Sequence, residues 1–228
     1  MPMTDCTSST PNYDNVVSFG ASITAGYCLE NQKNNWANVI AQTLNTQHIN
    51  QARGGAANGG ISRLICSYPD YKNDLVLAMW TSPTRYEFRN ENDWQEINGA
   101  MTPTDFSRAW YRGPGLYQYT EIATTIKEIL LAQYFLQNRG LDYLFVFDND
   151  DIVQCWLCQN PDTYIENLLN QIDWSRILWF DNTGFIQWSQ KNNFKFVDDH
   201  PVDQAHCAAA NYILTNRFFT ASNINVFP

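Results

Sequence analysis

The chain has 228 residues, which is enough for one α/β domain with insertions and for a sizeable buried core. Its formal net charge of −9 disfavours nucleic acid as the main partner, because phosphate binding needs a basic face. The same charge disfavours docking on anionic membranes, whereas a neutral small-molecule or glycan ester is compatible with it.

The N-terminal residues 1–12 are polar and lack the basic and apolar regions of a signal peptide. We therefore expect synthesis in the cytoplasm, with association with a virion as an open alternative. No apolar run approaches the roughly 20 residues that a membrane helix needs. The six cysteines are expected to be reduced and mostly buried, and the isolated CxxC at residues 155–158 is weak evidence for zinc. No metal or organic cofactor is predicted.

Strands and helices alternate along the chain. Strands are predicted where apolar and β-branched residues run together, and helices where apolar residues recur every three to four positions. Such alternation, with continuous apolar strands, is typical of a parallel sheet covered by helices on both faces. In chain order the prediction is a strand at residues 15–20, a helix at 35–44 capped by Asn34 or Asn35, a strand at 48–52, a helix from 61–66, a strand at 74–80, a helix at 117–138, a strand at 142–147, a helix at 163–172 and a last helix from about 203 to 217.

Two stretches interrupt the alternation, at about residues 88–116 and 149–190. The first is polar and punctuated by glycine and proline, and the second is rich in aromatic residues. Because no linker is apparent, we interpret both as insertions in a single domain that spans residues 1–228.

A serine follows the first predicted strand. Residues 18–26 read SFGASITAG, so Ser22 lies two positions past Gly20, in a tight turn at the carboxyl end of the strand. Ligand sites in open α/β sheets form at that end. Taken alone, the segment is equally compatible with Ser22 as a helix cap, and it carries neither a GxSxG elbow nor a P-loop.

Two further loops follow the second and third strands. Residues 50–60 (NQARGGAANGG) contain clustered glycines, whose main-chain N–H groups suit an oxyanion, although the loop alone is also compatible with simple flexibility. Residues 80–87 (WTSPTRYE) offer hydroxyl groups as hydrogen-bond donors. In the same segment Arg85 is a candidate to bind a substrate oxygen, or to form an ion pair with Glu87.

One of the three histidines is predicted in a loop beside two acids. His200 follows Asp198 and Asp199, and a histidine oriented by a carboxylate is the usual way to activate a serine. The alternative for this segment is a surface turn. His48 lies in a predicted strand and His206 in a predicted helix, so both are expected to have structural roles.

These loops are predicted to meet. A flavodoxin-like strand order places strands two and three on either side of strand one, so that the loops after them converge at the switch point. The loop at residues 198–201, which follows a last strand-like segment at residues 194–197, can reach the same edge. We therefore predict a flavodoxin-like three-layer α/β/α sandwich with a mostly parallel sheet, whose crevice holds a nucleophile, anion-binding glycines and a base.

The blocks together resemble those of the SGNH (GDSL) hydrolases, in the divergent branch common among phage and bacterial proteins. The GAS sequence at residues 20–22 is similar to the family's serine block, which implies that Ser22 is the nucleophile. Residues 50–58 resemble the second block, with Gly55 as the best match for the oxyanion N–H. Asp198 and His200 resemble the last block, although one residue separates them where the family usually has two.

Two positions depart from the family pattern. Ala21 replaces the usual aspartate, and residues 80–85 lack the asparagine that donates to the oxyanion in the third block. Thr81 and Ser82 are candidate replacements for that donor, with Thr84 as a further choice, and the loss of one donor typically costs about 10²–10³ in rate.

The resemblance implies a serine esterase. Ser22 would attack an ester carbonyl, His200 would take its proton, Asp198 would hold the tautomer of the imidazole, and Asn58 and Arg85 would contact the substrate. The habit of the family favours an O-acetylated carbohydrate. The alternative, which the missing asparagine favours, is a catalytically weak or inactive structural or glycan-binding protein, such as a virion or tail component.

Overall fold

The computed structural model describes residues 12–91, 93–97, 105–112, 118–150 and 162–218. Their centre is a parallel sheet of four strands, in which the second and third strands lie on either side of the first. This arrangement confirms the predicted α/β class and strand order. In chain order the strands are β1 (Asn15–Phe19), β2 (Gln47–Asn50), β3 (Leu75–Trp80), β4 (Tyr86–Arg89), β5 (Trp94–Ile97), β6 (Asp142–Phe147), β7 (Phe196–Val197) and β8 (His200–Pro201).

The order of the central sheet is β2-β1-β3-β6, and β3 and β6 are paired along their whole length. Every residue of β3 is buried, which explains why its sequence is continuously apolar rather than alternating. Beyond β6 the sheet is extended by a short bridge, where the N–H of Leu178 donates to the carbonyl of Phe145 at 2.9 Å.

Helices cover both faces of the sheet. The side chain of Asn35 caps the helix at Trp36–Thr43 by accepting a hydrogen bond from the N–H of Ala37. Asn35 is one of the two caps that the sequence predicts. The last helix ends at Ile213, earlier than predicted, and continues as a π-helical turn over Leu214–Phe218. In chain order the helices are α1 (Ser22–Ala25), α2 (Trp36–Thr43), α3 (Asn58–Ser67), α4 (Asp105–Arg112), α5 (Gln118–Asn138), α6 (Thr163–Leu169), α7 (Phe185–Lys191) and α8 (Asp203–Ile213).

Helix α3 begins three residues before the predicted start, because Gly59 and Gly60 belong to its first turn and not to the preceding loop. A Cβ atom on Gly60 would lie 2.7 Å from a carboxylate oxygen of Glu96 and 3.0 Å from one of Glu87. The glycine therefore leaves room for two acidic side chains at the start of the helix. Negative charge there is favoured by the unpaired N–H groups of the first helical turn.

Two apolar cores lie on opposite faces of the sheet. Val76 and Trp80 of β3 point into the core beneath α3 and α5, whereas Leu77 and Met79 point into the core beneath α2, α7 and α8. This alternation follows from the two-residue repeat of a strand. Each fully buried large side chain contributes about 1.5–3 kcal/mol, so the two cores hold the three layers together.

The described part of the first predicted insertion includes most of an antiparallel hairpin, β4–β5, that packs on α3. Arg63 of α3 forms an ion pair with Glu87, and its guanidinium lies 4.4 Å from the centre of the Trp94 ring. The proposed extent of a single domain over residues 1–228 stays a prediction.

Three cysteines fall within the described ranges. Cys28, Cys66 and Cys207 are free thiols and partly exposed, less buried than expected, whereas Cys6, Cys155 and Cys158 lie outside the described residues. Among the helices that the structure describes, none combines the length and apolarity required to cross a bilayer.

Candidate active site

Ser22 lies at the carboxyl end of β1, as the first residue of α1. The chain turns there through Gly20, where a Cβ atom would collide with the side chain of Thr24. Ala21 is the residue that caps the helix, and no side chain makes a capping hydrogen bond. The interpretation of Ser22 as a helix cap is therefore wrong, and its partly exposed hydroxyl is available for another contact.

That contact is with His200. Its Nε2 atom lies 2.7 Å from the Ser22 hydroxyl, although 178 positions separate the two residues. The histidine is presented by the hairpin β7–β8, whose two turn residues, Asp198 and Asp199, have φ angles of 45° and 62°. Two left-handed residues are what a two-residue hairpin turn requires, and aspartate tolerates that conformation better than most side chains.

The tautomer of His200 follows from its second contact. Its Nδ1 atom lies 2.6 Å from the main-chain oxygen of Asp198. Because a carbonyl oxygen only accepts hydrogen bonds, Nδ1 carries the proton and donates it. The lone pair of Nε2 therefore faces the Ser22 hydroxyl, which donates to it. This is the arrangement that a general base needs.

The partner of Nδ1 differs from the predicted one. The sequence predicts the carboxylate of Asp198, but the structure places the main-chain oxygen of that residue there. In the part of the chain that the structure describes, neither the Asp198 nor the Asp199 carboxylate bonds to the imidazole. The reason lies in the tight turn, which directs the carbonyl of its first residue toward residue 200.

The segment that carries His200 is also held against the loop after α1. The carboxylate of Asp203 accepts hydrogen bonds from the N–H groups of Glu30 and Asn31 and from the side chain of Asn34. Burial raises the pKa of Asp203, but these hydrogen bonds outweigh it and keep the pKa below its usual value. Asp203 therefore ties the base to the region of the nucleophile.

Two main-chain N–H groups at the neighbouring turns are candidate donors to an oxyanion. The N–H of Ala56 donates to the carbonyl of Arg53, and Gly55 has a φ angle of 79°, as at the third position of a type II turn. This turn is joined to the nucleophile turn because the N–H of Arg53 donates to the carbonyl of Gly20 at 3.1 Å. Within the described residues, the N–H groups of Ser22 and Gly55 have no acceptor, so both are available for an oxyanion.

The third loop contributes less than predicted. Thr81 is 1% exposed, with its hydroxyl buried, and its N–H and carbonyl both bond to the side chain of Asn58. Asn58 is itself 2% exposed and also donates to Thr125, so its amide holds α3 against the end of β3 and does not face the substrate. Ser82 is partly exposed and shares a hydrogen bond with the hydroxyl of Thr84, which is exposed, so these two of the three predicted donors are accessible.

Arg85 approaches the glycine loop. Its Nη1 atom lies 3.5 Å from the main-chain oxygen of Ala56. The predicted alternative of an ion pair with Glu87 is wrong, because Glu87 bonds to Arg63 instead. Arg85 therefore contacts the residue that follows Gly55.

Tyr27 is a site residue that the sequence analysis missed. Its side chain is 53% exposed, and its ring centre lies 6.2 Å from that of His200. The ring also packs on Gly54, where a Cβ atom would overlap it. Tyr27 thus forms a wall between the base and the glycine turn, and only its closeness to the serine block in the sequence pointed to it.

The other two histidines have the structural roles expected of them. His48 shares a hydrogen bond of 2.8 Å with the buried Ser18, and burial lowers the pKa of His48 to about 4. His206 is fully buried, its Nδ1 accepts from the N–H of Trp36, and burial lowers its pKa to about 4 as well. Over the described ranges, no three His, Cys, Asp or Glu side chains are grouped so as to hold a metal ion.

Comparison with known proteins gives similarity in structure alone. No family model matches the chain, and no curated protein has a matching sequence. Among solved structures, a carbohydrate esterase whose active site is described as having divergent catalytic and non-catalytic binding functions aligns with a TM-score of 0.53 at 12% identity, over 94% of this chain and 68% of that one.

Two further structures agree. A carbohydrate esterase family 2 enzyme with a carbohydrate-binding domain, from Corynascus thermopiles (Myceliophthora fergusii), aligns with a TM-score of 0.51 at 15% identity, over 92% of this chain and 67% of that one. A protein assigned to the lipolytic G-D-S-L family, from Desulfitobacterium hafniense DCB-2, gives 0.50 at 12% identity, over 87% and 97%. The chain shares the α/β fold of these three proteins. At these identities the likeness concerns the fold and not the activity.

Proposed function

We propose that the chain is a serine esterase of the SGNH (GDSL) type, with Ser22 as the nucleophile and His200 as the general base. The observation that carries the proposal is the 2.7 Å contact between the Ser22 hydroxyl and Nε2 of His200. The bond from Nδ1 to the Asp198 carbonyl supports it, because in the neutral ring that bond makes Nε2 the nitrogen that accepts a proton.

In the first half of the reaction, Oγ of Ser22 attacks the ester carbonyl carbon while its proton passes to Nε2 of His200. The negative charge that develops on the carbonyl oxygen is met by the N–H groups of Ser22 and Gly55, with the Ser82 hydroxyl as a third donor. The intermediate collapses when the imidazolium gives its proton to the leaving alcohol.

In the second half, water attacks the acyl-enzyme with His200 again as the base, and acid and free Ser22 are released. The main-chain oxygen of Asp198 accepts from Nδ1 throughout. It orients the ring and stabilises the imidazolium through its dipole, although more weakly than a carboxylate would.

The substrate class that we favour is an O-acetylated carbohydrate. The half-exposed ring of Tyr27 beside His200 offers a flat apolar surface against which a sugar ring can pack. The net charge of −9 suits a neutral substrate. Carbohydrate esterases are also among the proteins that share this fold.

Labelling with a fluorophosphonate tests the proposal, because the reagent reacts only with an activated nucleophile. We expect the label on Ser22, and hydrolysis of p-nitrophenyl acetate and of acetylated xylan that Ser22→Ala abolishes. Ser18→Ala is a matched control, since Ser18 also bonds to a histidine but is buried. A label elsewhere, or equal hydrolysis by Ser22→Ala and the wild type, would contradict the proposal.

A second candidate is a binding protein on the same fold, for example a virion or tail component. The observation that favours it is the third loop, which has no asparagine and whose Thr81 hydroxyl is buried, so that one oxyanion donor is lost or weakened. This candidate predicts no fluorophosphonate labelling, together with glycan binding that survives Ser22→Ala.

A further inference from the structure

One peptide unit of the glycine loop is held at both ends by the inserted hairpin. Arg85, just before β4, approaches the carbonyl oxygen of Ala56 at 3.5 Å. Glu96, in β5, accepts a hydrogen bond of 2.9 Å from the N–H of Ala57. The carbonyl of Ala56 and the N–H of Ala57 belong to the same planar peptide group. The guanidinium of Arg85 and the carboxylate of Glu96 therefore contact opposite ends of the dipole of this one peptide group, the gripped peptide.

The hairpin has its own attachment to the fold, so it can act as a support. Arg63 of α3 bonds to Glu87 of β4 through both carboxylate oxygens and lies over the ring of Trp94 in β5. Both strands are therefore tied to the same helix. These contacts are independent of the contacts that Arg85 and Glu96 make with the loop.

The gripped peptide lies at one end of the turn that presents Gly55. At the other end, the N–H of Arg53 bonds to the carbonyl of Gly20, and the N–H of Ala56 closes the turn on Arg53. Between these ends lie only Gly54 and Gly55, which have the widest conformational freedom of any residue type. The direction of the Gly55 N–H is therefore determined by how firmly the two ends are held.

We infer that Arg85 and Glu96 are positioning residues that fix the glycine turn and thereby aim the Gly55 N–H at the ester oxygen. This inference rests on the proposed function, in which Gly55 is an oxyanion donor. A site that lacks the third-block asparagine depends more strongly on the placement of the donors it retains. A displacement of about 1 Å in such a group can cost roughly 10² in rate.

The strength of the hydrogen bond between Glu96 and the N–H of Ala57 is expected to depend on pH. Burial raises the pKa of the Glu96 carboxyl to about 7, and the nearby charge of Glu87 contributes to the rise. The hydrogen bond from Ala57 and the charges of Arg63 and Arg85 act in the opposite direction. Because a hydrogen bond to an ionised carboxylate is the stronger one, the turn is held more firmly above pH 7 than below it.

Three variants test the positioning role. Glu96→Ala removes the acceptor, and we expect kcat for p-nitrophenyl acetate to fall about tenfold to a hundredfold with KM little changed. Glu96→Gln keeps an oxygen that can accept from Ala57, so it should recover most of the loss and remove from the pH profile of kcat only the part that comes from Glu96. Glu87→Ala is the comparison variant: it weakens the attachment of the hairpin to α3 by breaking the ion pair with Arg63, but it keeps both direct contacts with the gripped peptide, so its loss of kcat should be smaller than that of Glu96→Ala.

Amide hydrogen exchange gives a readout that does not need hydrolysis. In Glu96→Ala the Ala56 amide, which closes the turn on Arg53, should exchange faster than in the wild type and in Glu87→Ala. Unchanged Ala56 exchange and unchanged kcat in Glu96→Ala would overturn the inference, as would equal losses of kcat in Glu96→Ala and Glu87→Ala. If the wild type hydrolyses no ester, the proposed function and the aiming of Gly55 are refuted. If the Ala56 amide still exchanges faster in Glu96→Ala, the contact of Glu96 with the turn would stand.

Discussion

Nδ1 of His200 lies 2.6 Å from the main-chain oxygen of Asp198, two positions earlier in the chain. The group that orients the base is thus a peptide carbonyl that the hairpin turn itself supplies. Such a partner fixes the tautomer as a carboxylate does, but it carries only a partial charge. It also cannot be removed by a side-chain substitution that preserves the turn.

Asp198→Asn and Asp199→Asn should therefore both leave kcat within roughly fivefold of the wild type, whereas loss of an orienting carboxylate costs about 10⁴. Asparagine tolerates the left-handed conformation of these positions, so the turn is kept. Asp198→Val is the contrasting variant, because a β-branched residue at a φ angle of 45° strains the turn and should lower kcat further. A collapse of kcat in well-folded Asp198→Asn would restore the role of the carboxylate.

Ser22→Ala and His200→Ala should each lower the turnover of p-nitrophenyl acetate by about a thousandfold or more. The double variant should be little worse than either one, because nucleophile and base act as a unit. Circular dichroism checks that the fold is intact. Losses that multiply in the double variant would mean that the two side chains act independently.

Asn58→Ala should reduce stability and leave substrate affinity unchanged. Its buried amide satisfies the N–H and carbonyl of Thr81, so truncation leaves these groups unpaired at a cost of about 1–3 kcal/mol. Chemical denaturation and KM measured on the same samples separate the two effects. Ser82→Ala, at an accessible position in the same loop, should leave the unfolding free energy nearly unchanged. A raised KM at wild-type stability in Asn58→Ala would instead indicate a contact with the substrate.

The pKa of Glu96 predicts how stability changes with pH. Its folded value of about 7 exceeds the roughly 4.3 of an unfolded glutamate, so the folded state binds the proton more tightly. The contribution of Glu96 to the unfolding free energy is therefore fully present below about pH 4 and is lost as the pH rises to about 7.

Unfolding free energies at pH 5, 6, 7 and 8 in the wild type and in Glu96→Gln test this dependence. The two buried histidines have lowered pKa values and act in the opposite direction below pH 6.5, so the difference between the two proteins is the relevant quantity. The unfolding free energy of the wild type minus that of Glu96→Gln should become smaller as the pH rises from 5 to 7. A constant difference would contradict the raised pKa.

The sequence by itself determined the main helices and the strands of the central sheet, and it placed β2 and β3 on either side of β1. It did not predict the hairpins β4–β5 and β7–β8. Continuous apolar runs identify β3 and β6 as buried strands, and the Asn35 cap and the apolar spacing identify α2, because these patterns report local geometry and burial. The serine after β1 and the histidine after two acids stood out for the same reason: each lies where a strand or a tight turn must end. Their meeting followed from the strand order.

Only the tertiary structure decided which partner each polar side chain takes. The carbonyl of Asp198 replaces its carboxylate, Asn58 turns inward to Thr81, and Arg85 and Glu96 converge on one peptide of the glycine loop. Tyr27 likewise becomes a wall of the site only through its packing on Gly54. Whether a segment forms a helix or a strand depends mainly on residues that are neighbours in the chain. Whether two polar groups form a hydrogen bond depends on their distance to within a few tenths of an ångström, and here the two groups belong to segments far apart in the sequence, so the whole fold sets that distance.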